Sequence, residues 1–76
     1  MDEKMRFSVY CTELFRTKHA LSGPQVMNLF KVYGVLEYID SCYGALYVMG
    51  AEYILEDLES LIDEGGYAHS GSERSR

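Results

Sequence analysis

Apolar side chains recur every three or four residues along most of this chain, which is the spacing of one face of an α-helix. The clearest case is the segment 51–64, where the spacing continues without interruption until two glycines follow it. Its apolar positions are Ala51, Ile54, Leu55, Leu58, Leu61 and Ile62. Glycine after the last apolar turn is a common helix end. The pattern therefore predicts a helix over 51–64.

The segment 3–19 shows the same spacing, with charged residues on its other side. Its apolar stripe consists of Phe7, Tyr10, Cys11, Leu14 and Phe15. Arg6, Glu13 and Arg16 lie opposite this stripe, so the segment is amphipathic. Val9 interrupts the polar side, and we expect it near the edge of solvent. The pattern predicts a first helix over 3–19.

Two shorter helices are predicted between these long ones. Ser22 and Gln25 have the spacing of a capping box, and Pro24 suits the first turn of a helix. Gly34 can adopt the left-handed conformation that ends a helix, and apolar residues resume directly after it. We therefore expect helices over 24–33 and 35–44. For the segment 45–50 we favour helix or turn over a strand, because no second strand is available for pairing.

Together these segments predict an all-α fold, a small single-domain bundle of about four helices over residues 1–64. Residues 65–76 are rich in Gly and Ser and have no periodicity, so they are expected to form a flexible tail. The order helix, Gly34, helix also resembles a helix-turn-helix. A recognition helix needs basic or amide side chains, however, and the helix after Gly34 offers Glu37 and Asp40. DNA binding and other nucleic-acid binding are therefore disfavoured.

Charge is divided unevenly along the chain, whose formal net charge is −5. No Lys or Arg occurs between Lys31 and Arg74, although nine acidic residues do. On the last predicted helix, four acids follow one another along one face. They are Glu52, Glu56, Glu59 and Asp63. This acidic face is interpreted as a solvated surface, as a site for a basic protein partner, or as a counterpart of the basic first helix of the same fold.

Tyrosines concentrate in the third predicted helix and the segment that follows it. The group comprises Tyr38, Tyr43, Tyr47 and Tyr53. Tyrosine suits half-buried positions because its ring is apolar and its hydroxyl is polar. The group is interpreted as the rim of the core, or as an exposed patch for self-association or for holding another protein. Tyr43 and Tyr47 are accordingly added to the candidate partner-binding residues.

Candidate chemistry is sparse, so the sequence predicts no enzyme, no cofactor and no metal site. Cys11 and Cys42 lie on apolar stripes without CxxC spacing, and we expect buried, reduced thiols. His19 ends the first helix, where a capping or surface role is expected, while His69 falls in the predicted tail. No apolar run approaches the roughly 20 residues that span a bilayer. A cytoplasmic location away from membranes is the expectation.

Several short segments resemble a small bacterial family, largely from Firmicutes, known as domain of unknown function number three-seven-nine-one. The similar pieces are Leu21 to Gly23, Tyr33 to Ile39, Cys42 with Tyr43, Leu46, Gly50, Glu52 to Ile54, and Glu56 to Leu58. The resemblance extends over most of the chain up to Ile62.

The resemblance implies a small helical protein without an assigned activity. It also implies a gene neighbour that looks like an ADP-ribosyltransferase, and hence an antitoxin-like role toward that neighbour. Relatives often carry an acidic residue and a His-Thr pair where this chain has Gly44 and the dipeptide of Tyr47 and Val48. Because the chain departs from the family at these positions, the resemblance assigns no functional residue here. The hypothesis is a non-enzymatic interaction protein, with a homo-oligomer or a DNA-binding regulator as alternatives.

Overall fold

The structure, a computed structural model, describes residues 2–67, and over that range it consists of helices joined by short turns and loops. It contains five helices, which are α1 (Glu3–His19), α2 (Gly23–Tyr33), α3 (Val35–Ser41), α4 (Tyr43–Tyr47) and α5 (Ala51–Asp63). The all-α prediction is confirmed. About four helices were expected, and the described range has five, because the expected third helix over 35–44 is divided into α3 and α4 at Cys42.

The division at Cys42 repositions the chain for tertiary packing. Cys42 adopts φ −108° and ψ 22°, outside the helical region, although its N–H still donates to the carbonyl of Tyr38. After this kink Leu46 lies in the core with 1% of its surface exposed, and the ring of Tyr43 meets Phe7 edge-on at 5.5 Å. Gly44, just beyond, lowers the helical preference of this segment. Segment 45–50 is therefore helix followed by turn, as favoured from the sequence.

The core is apolar and receives side chains from all five helices. Its buried members are Phe7, Cys11, Phe15, Val26, Phe30, Val35, Ile39, Leu46, Ile54 and Leu58. Helix α3 contacts each of the other four helices, and α1 contacts α2, α3 and α5. The helical spacing identified most of these positions. Tyr10 belongs to the apolar stripe predicted for α1 but not to the buried core, because it lies at the edge of the stripe and is 47% exposed.

The ends of α1 and α2 carry the local interactions that their sequences indicate. Asp2 accepts a hydrogen bond from the backbone N–H of Lys4 at the start of α1. The predicted capping box is present: Ser22 and Gln25 exchange two side chain to backbone hydrogen bonds, of 2.8 and 3.2 Å. Gly34 ends α2 with φ +64°, so the helix, Gly34, helix order of a helix-turn-helix is also present.

After α5 the chain packs back onto α2. The backbone N–H of Tyr67 donates to the carbonyl of Tyr33 at 2.8 Å, and the ring of Tyr67 meets Tyr38 edge-on. Residues 65–67 of the predicted tail therefore contact the helices, while 68–76, including His69, lie outside the described residues. Over residues 2–67, no helix is both long and apolar enough to cross a membrane.

Candidate partner-binding surface

The acidic face of α5 is divided between paired and unpaired carboxylates. Glu52, Glu56 and Asp63 are exposed, and within residues 2–67 none of them forms an ion pair. Glu59 lies at the edge of this face that borders α1, and its side chain is 29% exposed. The four predicted residues thus share one side of α5, but only three of them present free charge to solvent.

Glu59 is held by two side chains from the last turn of α1. Lys18 Nζ lies 2.7 Å and His19 Nε2 2.9 Å from Glu59 Oε2. The hydrogen bond from Lys18 lowers the pKa of the Glu59 carboxyl, and the interaction with His19 adds to this effect. The ring of His19 also stacks on Phe15, with centroids 4.3 Å apart. His19 is thus a surface residue that connects α1 to α5.

Of the three interpretations of the acidic face, pairing with the basic first helix therefore applies to Glu59. The sequence contains both partners, because Lys18 and His19 end the first predicted helix and Glu59 lies on the last one. It does not show that the last turn of α1 packs beside the second half of α5. The remaining carboxylates stay available to solvent or to a partner.

A second acid on α5 is used inside the fold. The hydroxyl of Tyr38, on α3, donates a short hydrogen bond to Asp57 Oδ2. Burial raises the pKa of Tyr38 well above its ordinary value, and the hydrogen bond to Asp57 raises it further. Tyr38 is therefore a structural link between α3 and α5, which agrees with its interpretation as part of the core rim.

Tyr43 and Tyr47 form the wall of an aromatic cleft beside the start of α1. Their rings lie 5.3 Å apart, and both meet the buried ring of Phe7 at 5.5 and 5.6 Å. The cleft has a volume of about 400 Å³ and is also lined by Glu3 and Tyr10. Tyr43 donates a long hydrogen bond, 3.5 Å, to Glu3 Oε1.

Exposure differs between the two tyrosines of this cleft. Tyr43 is half-buried, whereas Tyr47 is 61% exposed. Desolvation raises the pKa of the Tyr43 hydroxyl, with a further contribution from the Glu3 carboxylate. Tyr43 thus packs on the core, as expected for the core rim, whereas Tyr47 is presented to solvent.

An apolar groove between α1 and α2 was not identified from the sequence. Its floor is Val26, and its exposed walls include Met5, Val9 and Met27, which are 55%, 55% and 45% exposed. The expectation that Val9 lies near solvent is confirmed. The groove was missed because its α1 side interrupts the polar face of an amphipathic helix, and only packing against α2 makes it concave.

Within the described residues, the two thiols and His19 are not grouped into a metal-binding cluster. Cys11 is fully buried, and desolvation raises the pKa of its thiol to about 11. Cys42 is half-buried, and both thiols are free. Within residues 2–67, no three side chains of His, Cys, Asp or Glu are grouped as a metal ion would need.

Comparison with known proteins identifies the chain at the level of family. Searches among curated proteins and among solved structures gave no match. The family described as "Protein of unknown function (DUF3791)" matches residues 6–65, a range that includes the core of the fold, the acidic face and the aromatic cleft. The resemblance noted from the sequence is thereby confirmed. This chain belongs to the DUF3791 family of proteins of unknown function.

Proposed function

We propose that this protein is a non-enzymatic interaction module that binds a protein with a basic surface. The observation that carries the proposal is the set of exposed carboxylates on α5 that form no ion pair within residues 2–67: Glu52, Glu56 and Asp63. Glu52 and Glu56 have i,i+4 spacing, at which like charges repel one another by roughly 0.2–0.5 kcal/mol. A basic partner would relieve this repulsion, and the attraction would also accelerate encounter.

The position of Asp63 strengthens the argument from charge. It is the last residue of α5, where the helix dipole disfavours anions by about 0.3–1 kcal/mol, and no basic residue occupies that last turn. Glu64 follows directly and adds to the same negative end. The C-terminal end of α5 therefore carries negative charge that is unfavourable for the stability of the helix. A cationic partner would neutralise this charge.

The family resemblance supplies a specific partner for the proposal. On that basis the protein acts as the antitoxin-like partner of a neighbouring ADP-ribosyltransferase-like protein. The acidic face of α5 would contact a basic surface on this enzyme. This identification rests on the resemblance, whereas the sign of the partner's charge rests on the carboxylates of α5.

The test is a pull-down of the neighbouring protein with the whole chain at low ionic strength. We expect capture that weakens as salt is added, because contacts between exposed charges are screened. Glu56→Lys should weaken binding several-fold, whereas Glu37→Lys makes the same charge change on α3 and should leave binding unchanged. If the neighbouring protein is not captured at low salt, the identification of the partner is wrong. Equal effects of the two variants would remove α5 as the binding face.

A second candidate function is a homo-oligomer associated through the aromatic cleft, and the exposure of Tyr47 favours it. Exposed tyrosine beside apolar surface is common at the centre of protein interfaces. Tyr47→Ser should then lower the association measured by sedimentation, and a monomer at high concentration would remove this candidate. A DNA-binding role remains disfavoured, because Glu37 and Asp40 are exposed on the helix after Gly34.

A further inference from the structure

The outer side of α1 carries a mixed stripe that the core does not use. Its residues recur at alternating intervals of three and four, the spacing of a coiled-coil seam. They are Asp2, Met5, Val9, Thr12 and Arg16. Met5 and Val9 are the exposed apolar members at its centre, and they form one wall of the groove between α1 and α2.

The groove continues the apolar surface of this stripe onto α2. Met27 of α2 lines the groove together with Val9 of α1, and Ser8 and Thr12 are small residues in the same lining. Its volume of about 400 Å³ is enough for several side chains. Methionine adapts its shape to an incoming side chain more readily than branched residues do. The surface therefore has room and composition suited to a packed helix.

The two ends of the stripe carry opposite charges. When a second copy of the helix runs in the reverse direction, each end therefore meets the opposite charge. Asp2 lies at one end and Arg16 at the other, and both are equally far from Val9 along the sequence. Arg6 lies three residues before Val9 and Glu13 four residues after it. In an antiparallel pair of α1 helices crossing at Val9, Asp2 faces Arg16 of the second copy, and Arg6 comes within one residue of facing its Glu13.

A parallel pair would instead bring Asp2 to Asp2 and Arg16 to Arg16, which is repulsive. The charge pattern is therefore self-complementary only about a two-fold axis perpendicular to α1 at Val9. This is the symmetry of an isologous dimer, in which the same surface of each copy meets the other. Arg6 forms no ion pair within residues 2–67. Glu13 and Arg16 pair with each other at 2.8 Å and are partly exposed, so in the dimer Arg6 and Asp2 of the second copy would add to this pair.

We propose that a second copy of this chain docks on this surface and forms an antiparallel two-fold dimer through α1. Val9 of each copy lies at the axis, and Met5 and Val9 of one copy insert into the groove between α1 and α2 of the other. Asp2 and Arg16 close both ends of the interface, and Arg6 and Glu13 pair along its sides. The acidic face of α5 is separate from this contact, whereas Arg6 also lines the aromatic cleft at Tyr47.

Sedimentation velocity of the whole chain over a range of concentrations tests the dimer. We expect a concentration-dependent dimer, and we expect Val9→Glu to raise its dissociation constant by about tenfold or more, because a charge at the axis would be buried beside its own copy. The matched control is Val32→Glu, since Val32 is 66% exposed on the other side of α2. Far-UV circular dichroism checks that both variants remain folded.

A monomer at all concentrations would overturn the proposal, and so would a dimer that Val32→Glu weakens as much as Val9→Glu. A dimer that Tyr47→Ser dissociates while Val9→Glu does not would assign the contact to the aromatic cleft and would equally overturn it.

Thiol cross-linking gives a second readout that does not depend on destabilising the contact. Helices packed roughly 8–10 Å apart bring facing Cα atoms into the range of about 4.4–6.8 Å that a disulfide requires. In a Cys42→Ser background, with Cys11 fully buried, Val9→Cys should give a covalent dimer on mild oxidation and Val32→Cys should not. Failure of Val9→Cys to cross-link, or equal cross-linking of both variants, would contradict an axis at Val9.

Charge exchange tests the orientation of the two helices. At low ionic strength Arg6→Glu should weaken the dimer, because it places a carboxylate beside Glu13 of the second copy. Adding Glu13→Arg exchanges the two charges and should restore association. Glu13→Arg also breaks the ion pair of Glu13 with Arg16, so Glu13→Arg alone is the control. If the double variant is weaker than both single variants, the antiparallel arrangement is wrong.

Discussion

The hydroxyl of Tyr38 is the point at which α3 and α5 are joined by a polar contact. It donates to Asp57, and both side chains are half-buried. Removing one partner of such a pair leaves a carboxylate without its donor in a poorly solvated place. The contact uses only the hydroxyl group of Tyr38. A substitution that removes this hydroxyl and keeps the ring therefore measures its contribution to the free energy of unfolding.

Tyr38→Phe is expected to lower the free energy of unfolding by about 1–2 kcal/mol, because Asp57 loses its hydrogen bond while the ring is kept. Urea denaturation provides the measurement. Tyr53→Phe is the control, since Tyr53 is 65% exposed and should change stability by less than about 0.5 kcal/mol. Equal losses for both variants would contradict the structural role of the Tyr38 hydroxyl.

Glu59→Gln is expected to lower stability by up to about 1 kcal/mol at neutral pH, the range of partly exposed ion pairs. Its pKa is lowered in the folded state, so its contribution is present above the ordinary value of 4.5 and is lost as the pH falls through the folded pKa. Urea denaturation at several pH values should therefore show the difference between wild type and variant vanishing in acid.

Glu56→Gln serves as the control for this pH dependence. Glu56 is exposed and lacks an ion pair within residues 2–67, so its replacement should be neutral or slightly stabilising. A difference for Glu59→Gln that grows as the pH falls would contradict the pairing with Lys18.

At the scale of the element, α4 is the least regular part of the fold. It has only five residues, follows the kink at Cys42, and contains Gly44. A helix this short is held by tertiary contacts such as those of Leu46 and Tyr43, since its own propensity is low. Its backbone is therefore the place where helix propensity can be improved without touching the core.

Gly44→Ala is expected to stabilise the protein by about 0.5–1 kcal/mol, because a Cβ at Gly44 meets nothing within 4 Å and alanine is the better helix former. Ala45→Gly is the reverse change at an exposed neighbour and should destabilise by a similar amount. Urea or thermal denaturation measures both. If both variants lose stability, α4 does not behave as a regular helix in solution.

Most helix bounds could be predicted from the sequence, and the exception has a physical cause. Helix α1 occupies the predicted range, and α2 and α5 differ from prediction by one residue at an end, because apolar spacing and end signals are local properties. The kink at Cys42 could not be predicted, because it depends on the burial of Leu46 and the contact of Tyr43 with Phe7. Those are contacts between distant parts of the chain.

The candidate site shows the same distinction. The line of acids on α5 follows from helical spacing alone, so all four residues were found on one side of the helix. That Glu59 is paired with Lys18 and His19 depends on how α1 lies against α5. The groove at Val9 likewise exists only because α2 is beside α1. Sequence periodicity identifies a face, and packing decides whether that face is free.

At the scale of the whole molecule, residues 65–67 connect the end of α5 to the end of α2. Gly66 has φ +103°, and a Cβ there would lie 2.8 Å from the carbonyl oxygen of Tyr33. That oxygen accepts the hydrogen bond from the N–H of Tyr67. The close approach therefore fixes where the chain lies after its last helix.

Gly66→Ala is expected to destabilise the protein more than Gly65→Ala. Both glycines have positive φ, so both variants should lose about 1–2 kcal/mol to backbone strain. A Cβ at Gly65 meets nothing, whereas at Gly66 it meets backbone, which should add at least about 1 kcal/mol. Thermal denaturation compares the two. Equal losses would show that residues 65–67 do not hold this contact in solution.

The fully buried thiol of Cys11 is a natural probe for the opening of the core, because a thiol reagent can label it only when the core opens. Since burial also raises its pKa to about 11, a thiol reagent reaches the reactive form only when the helices around α1 separate. With reagent in excess, the labelling rate of Cys11 then measures how often the native fold opens. The half-buried Cys42 reports smaller local motions in the same experiment, so the ratio of the two rates distinguishes local fluctuation from global unfolding without any engineered probe.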